Sequence, residues 1–141
     1  MRSVIIVGGG FAGLAAARTL RRHGRGVDVL LLDQKDTSDF LPLLPAVIGG
    51  RLPASATRVD LADWAMRRGC GFRRARVVSV DRAAGCVRTE TESFPYDALI
   101  LAAGSRTSFH GRTDLAGRAI TLDDADDAAR LAAAVRARLG A

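Results

Sequence analysis

The stretch that decides the fold is Val4-Ile5-Ile6-Val7-Gly8-Gly9-Gly10-Phe11-Ala12-Gly13, continued by an alanine-rich segment to His23 and by Val27-Asp28-Val29-Leu30-Leu31-Leu32-Asp33. An apolar run enters a glycine turn, a helix-favouring segment leaves it, and a second apolar run ends on an acid. This order predicts strand, turn, helix, strand, the β-α-β unit that holds the ADP half of a dinucleotide. Each glycine has its own task. Gly8 lets the chain turn sharply out of the strand, and Gly10, without a Cβ, lets backbone approach a pyrophosphate. Gly13 lets the helix pack closely on the strand, and Ala17 keeps the next turn of that contact small. The first helical N–H groups have no intrahelical partner and sit at the positive end of the helix dipole, so the turn is an anion site. Asp33 follows Gly13 at the roughly 20-residue distance at which a carboxylate meets the ribose hydroxyls. An acid there disfavours a 2′-phosphate, and so NADP.

Two other readings fit the same residues. Glycine-rich turns also occur in α/β domains that bind nothing. Arg2 before an apolar stretch has the outline of a secretory signal, but three consecutive glycines interrupt its core and Arg18, Arg21 and Arg22 follow.

The chain has 141 residues, enough for one domain with a real core, and 48% of them are hydrophobic, which points to a globular fold rather than disorder. No apolar run approaches the roughly 18–20 residues of a membrane span. Cys70 and Cys86 stand singly, and the histidines are His23 and His110, so no metal site is expected. Few cysteines and no export signal suggest the cytoplasm. The net charge is +6, and every basic residue but Lys35 is arginine. These arginines are scattered and not interleaved with aromatics, which argues against nucleic-acid binding. A basic surface would also suit an anionic membrane face.

Outward from the unit, the first helix is expected from about Ala12 to His23, stopped by Gly24. Phe40-Leu41-Pro42-Leu43-Leu44-Pro45-Ala46-Val47-Ile48 is too apolar for a surface loop. Pro42 would open a short helix there and Gly49-Gly50 would end it. The stretch fits a plug packed on the sheet or an apolar wall beside a bound ring system. Asp60 is an N-cap before a stripe of Leu61, Trp64 and Ala65, closed by Gly69. Phe72 to Val80 reads as one strand, Cys86 to Glu90 as a half-exposed strand, and Ala98 to Ala102 as a buried strand parallel to the first. Asp123 to Leu139 reads as a surface helix with Leu131, Ala134, Val135 and Leu139 on its apolar face. Its four aspartates suit the helix N-terminus better than a metal.

Taken together, these segments resemble the N-terminal part of the type II NADH dehydrogenases, within the pyridine nucleotide-disulfide oxidoreductase superfamily. The resemblance is carried by residues 4–13, Leu30-Leu31-Leu32-Asp33, Phe40-Leu41-Pro42-Leu43-Leu44, and Tyr96-Asp97-Ala98-Leu99-Ile100-Leu101-Ala102-Ala103-Gly104-Ser105. The Phe-x-Pro-Leu-Leu piece is the most family-specific. The resemblance implies an α/β, Rossmann-like FAD-binding domain with a parallel sheet and a small antiparallel meander. One partial domain over 1–141 would carry the meander as an insertion over 72–96. It implies FAD at this first site. Gly8, Gly9, Gly10, Phe11, Ala12 and Gly13 would hold the pyrophosphate, and Asp33 with Gln34 the AMP ribose. The Val77 backbone would meet the adenine, and Pro42, Leu43, Leu44, Ala102, Ala103 and Gly104 would lie on the flavin side.

In such enzymes NADH reduces the flavin and a quinone reoxidises it, so no catalytic side chain is expected here. The usual Ala-Thr-Gly is Ala102-Ala103-Gly104, one hydroxyl short. A second glycine fingerprint for NADH and a return-segment Gly-Asp motif are not found. The expectation is therefore an FAD-binding portion lacking the NADH domain, with NADH a co-substrate only if that domain, or a second polypeptide, completes the enzyme. Its place would be the cytoplasm, peripheral on the inner membrane face. Alternatives are a stand-alone dinucleotide-binding module, or one subunit of a split flavoenzyme with other small-molecule oxidation chemistry. Dithiol reductases are disfavoured, because Gln34 to Arg68 contains no cysteine.

Overall fold

The computed structural model describes residues 1–140. In chain order its elements are β1 (Arg2–Val7), α1 (Phe11–His23), β2 (Val27–Asp33), β3 (Thr37–Asp39), α2 (Leu44–Ile48), β4 (Arg58–Asp60) and α3 (Leu61–Met66). Then come β5 (Gly71–Arg74), β6 (Val77–Asp81), β7 (Cys86–Thr89), β8 (Ser93–Pro95), β9 (Ala98–Leu101), α4 (Thr113–Ala116) and α5 (Ala125–Leu139). Short 3-10 turns occupy Leu41–Leu43 and Ala54–Thr57. The chain divides into two compact units. The first is Met1–Ser38 with Asp60–Gly104, and the second is Asp39–Val59 with the chain from Ser105 onward.

The first unit is built on a parallel sheet of order β5-β2-β1-β9. Side chains alternate across a strand, so each apolar run feeds both faces. Val4, Ile6, Val29 and Leu31 pack on one face with Ala17 of α1 and Leu61 and Ala65 of α3. Ile5 and Leu32 pack on the other with Val87 of the antiparallel β6-β7-β8 sheet. The central strands are thus covered on both sides, which is why they read as continuous apolar runs.

Asp60 caps α3, its Oδ1 accepting from the Asp63 amide at 2.7 Å. Trp64 packs against the first core, as expected of a core residue, and the Arg68 guanidinium stacks 4.3 Å from its ring.

Three expectations change. The Phe72–Val80 run is two strands. β5 adds to the parallel sheet beside β2, and β6 opens the antiparallel one, so the meander spans Val77–Pro95, not 72–96. The 98–102 run does pair parallel to β1, but at the sheet edge, and Leu101 is 65% exposed. On α5 the buried face is Ala125, Ala128 and Ala132, whereas Val135 and Leu139 are exposed.

In the second unit, Leu44 and Val47 of α2 pack on Ala125 and Ala128 of α5. Carboxylates hold the α5 N-terminus. Asp124 accepts from the Asp126 and Asp127 amides, and Asp39 from the Ala125 amide at 2.9 Å. The other Asp39 oxygen lies 3.4 Å from Arg58 Nε, which balances its charge, and Arg58 also pairs with Asp126. Asp127 accepts from the Asp123 amide at 2.9 Å and the Thr121 hydroxyl at 2.7 Å, and it pairs with Arg130. Those donors, the Asp123 amide foremost, lower its pKa to about 2. Three of the tail's four aspartates thus have capping or ion-pair partners, and the fourth, Asp123, accepts from the Thr107 hydroxyl.

Candidate dinucleotide site

The turn between β1 and α1 takes its shape from contacts that only glycine permits. Gly8 has φ +108, and a Cβ there would stand 2.1 Å from the Ala102 carbonyl oxygen. The exits of β1 and β9 are therefore pressed together, tied by the Ala102 amide donating to the Val7 carbonyl at 2.7 Å. A Cβ on Gly13 would stand 1.8 Å from the Gly8 carbonyl oxygen, so the first turn of α1 lies directly on the strand exit. Gly9 is buried, and a Cβ there would be 2.6 Å from Leu61 Cδ1.

Gly10 differs from the other three. It is the exposed N-cap of α1, and a Cβ there would meet nothing within 4 Å. No side chain caps this helix, and no acid stands in its first turn. The positive end of the dipole is left to an external anion.

Asp33 ends β2 at the rim of this turn. Its Oδ2 accepts from the Gly9 amide at 2.6 Å and its Oδ1 from the Lys35 amide at 2.8 Å. Gln34 is exposed beside it, and its carbonyl accepts from Arg74 Nε at 3.3 Å.

The structure gathers Gly8, Gly9, Gly10, Phe11, Ala12, Gly13, Asp33 and Gln34 around one turn, with Ala102 against it. Phe11 and Ala12 are exposed at the start of α1. Val77 opens β6, partly buried in the second core of the same unit. Ala103 and Gly104 follow β9, both exposed, Gly104 with φ +72. Pro42, Leu43 and Leu44 belong to the second unit. Leu44 is 1% exposed, within that unit's own core.

Two residues of the site escaped the sequence reading. Leu61 was legible as an apolar helix position, but not as the support beneath Gly9. Arg74 carried no signal, because its place at the rim follows from β5 joining β2, with Arg74 in register with Asp33.

Among the described residues no group of three or more His, Cys, Asp or Glu side chains could hold a metal, and no helix is long and apolar enough to cross a membrane. A parallel β-α-β unit with an open glycine turn and an acid at the tip of its second strand defines an α/β dinucleotide-binding protein of the Rossmann type. The model of the pyridine nucleotide-disulphide oxidoreductase family matches residues 2–139, and the chain belongs to that family.

Among known proteins, the type II NADH:quinone oxidoreductase Ndh of Mycobacterium tuberculosis is 36% identical over 136 residues, 91% of this chain and 28% of that protein. The mouse ferroptosis suppressor protein 1 is 30% identical over 110 residues, 77% of this chain and 28% of its own length. The sulfide:quinone oxidoreductase of Aquifex aeolicus superposes with TM-score 0.89 at 22% identity, over 99% of this chain and 33% of that one. NDH2 of Plasmodium falciparum, solved with NADH, gives 0.78 at 23% identity over 93% and 28%. At these identities the two structures show the fold alone. This chain spans about a third or less of each of these proteins.

Proposed function

We propose that this chain is the FAD-binding portion of an NADH:quinone-type flavin oxidoreductase. The observation that carries the reading is the uncapped N-terminus of α1 at Gly10, open to at least 4 Å around a missing Cβ, with Asp33 at its rim. That cradle fits a pyrophosphate and the adjoining ribose. Gly10 and the first-turn amides would hold the two phosphates, and Asp33 would accept from the ribose hydroxyls. Val77 would offer backbone to the adenine, and Ala102 to Gly104 would give small-residue backbone along the flavin side.

When bound, FAD would supply acceptance of a hydride from NADH and delivery of electrons to a quinone. The chain's own part is to bind and orient. A second dinucleotide site for NADH would come from sequence beyond these residues or from a second polypeptide. A quinone acceptor would be met at a membrane, which fits a cytoplasmic chain peripheral on the inner membrane face.

Titration of the purified chain with FAD, NAD and ADP, read by visible absorption and calorimetry, tests this reading. FAD binding tighter than ADP is expected, because the isoalloxazine side should add contacts. The ADP-side residues all lie in the first unit, which favours a second reading as a general dinucleotide module. Equal affinity for FAD, NAD and ADP would select that second reading. No binding of any of the three would remove both.

A further inference from the structure

Asp33 is oriented by the protein alone. Both of its carboxylate oxygens accept from backbone amides, Gly9 at 2.6 Å and Lys35 at 2.8 Å. Hydrogen bonds to an ionised acceptor are short and about twice as strong as neutral ones. The Gly9 peptide they hold is closed in from its other sides. Leu61, fully buried, stands beneath it, and the neighbouring Gly8 amide donates to the Leu32 carbonyl at 2.8 Å. Of the turn glycines Gly8, Gly9, Gly10 and Gly13, Gly10 alone has open space around it.

We propose that Asp33 is a positioning residue for the pyrophosphate as well as a ribose contact: its carboxylate braces the Gly9 amide and fixes the phosphate turn before any ligand arrives. The inference rests on the dinucleotide reading and adds a second task to the same side chain. A carboxylate has about four lone-pair sites, so the brace and a ribose hydroxyl can be accepted together. The phosphate turn then binds without first being ordered, which removes part of the entropy loss of binding.

The two tasks predict opposite signs for a ligand without ribose. If Asp33 only touches ribose, removing its charge leaves inorganic pyrophosphate binding unchanged or improves it, because a nearby negative charge repels the anion. If Asp33 braces the turn, Asp33→Ala weakens pyrophosphate binding despite the lost repulsion. Asp33→Asn keeps an acceptor for the Gly9 amide and spares it.

The experiment uses the full 141-residue chain. Wild type, Asp33→Ala and Asp33→Asn are titrated with inorganic pyrophosphate and with ADP, and Gly9 amide hydrogen exchange is measured by NMR without ligand. In Asp33→Ala, Gly9 exchange should accelerate about tenfold and pyrophosphate affinity fall about fivefold or more, the scale of one lost charged hydrogen bond. In Asp33→Asn both should stay near wild type while ADP affinity falls. Unchanged exchange at Val29 and Leu31 shows that the fold is intact. Wild-type Gly9 exchange in Asp33→Ala, or faster exchange with undiminished pyrophosphate affinity, overturns the brace. Failure of the wild-type chain to bind ADP overturns the dinucleotide reading instead, and Gly9 exchange then still decides the brace.

Discussion

Gly10 and Gly13 lie one helical turn apart yet answer to different neighbours. A side chain at Gly13 would drive a Cβ to 1.8 Å from the Gly8 carbonyl oxygen, a contact that only a shift of α1 off β1 relieves. A side chain at Gly10 would meet nothing, and its φ of −79 suits any residue. The two positions should therefore separate folding from binding. Gly13→Ala is expected to lower unfolding stability by about 3 kcal/mol or more, in the upper range for overpacking. Gly10→Val should cost only about 1 kcal/mol of stability, the loss expected when valine replaces a better N-cap residue. On the proposed binding mode it should nonetheless abolish ADP binding, because the valine would stand where the phosphates are proposed to lie. Urea unfolding and calorimetric titration of both variants check this. A Gly10→Val chain that binds ADP like wild type would put the pyrophosphate elsewhere.

At the scale of elements, the sequence was most readable where a local rule decides structure. The bounds of α1, its stop at Gly24, and the Asp60 cap of α3 follow from glycine and aspartate chemistry within a few residues. Asp60→Ala should cost about 1 kcal/mol, the usual loss for an aspartate cap, measured by urea unfolding against Asp63→Ala, which keeps the cap. The reading failed where long-range pairing decides. Nothing local in Phe72–Val80 marks where the chain leaves one sheet for another, since both halves have strand-like residues. The α5 face was misread because the leucines and valine outrank alanine in hydrophobicity, whereas close approach of α2 favours the small Ala125 and Ala128. The glycine turn was legible because such close backbone approaches demand glycine, and Leu61 was not, because any helix has buried leucines.

Asp127 shows how α5 is held. Its pKa of about 2 lies below the ordinary carboxylate value of 3.8, so its ionised form stabilises the folded chain. That stabilisation is complete above about pH 4 and is lost as pH falls toward 2. Asp127→Asn should therefore unfold at lower urea than wild type at pH 7, with the gap narrowing between pH 4 and 2. A gap independent of pH would mean that the hydroxyl and amide bonds, and not the charge, hold this end of the helix.

For the molecule as a whole, the two units differ in what they bury. The first has Ile5, Ile6, Val29, Leu31, Leu32 and Leu61 almost fully enclosed, whereas the core of the second is Leu44, Val47 and two alanines. Apolar burial stabilises by about 25 cal/mol per Å², and alanines contribute little of it, so the second unit should open at lower free energy. Amides of α5 are expected to exchange faster than those of β1 and β2. ADP makes the sharper test, because a ligand protects only the amides whose opening destroys its site. At 100 times its Kd, ADP should raise the opening free energy of β1, β2 and the first turn of α1 by about 2.7 kcal/mol. The α5 amides, if their unit opens by itself, should gain almost nothing. Exchange measured with and without ADP distinguishes the outcomes. Equal added protection in α5 and β1 would show that the two units open together and that the small second core is held by more than its own four residues.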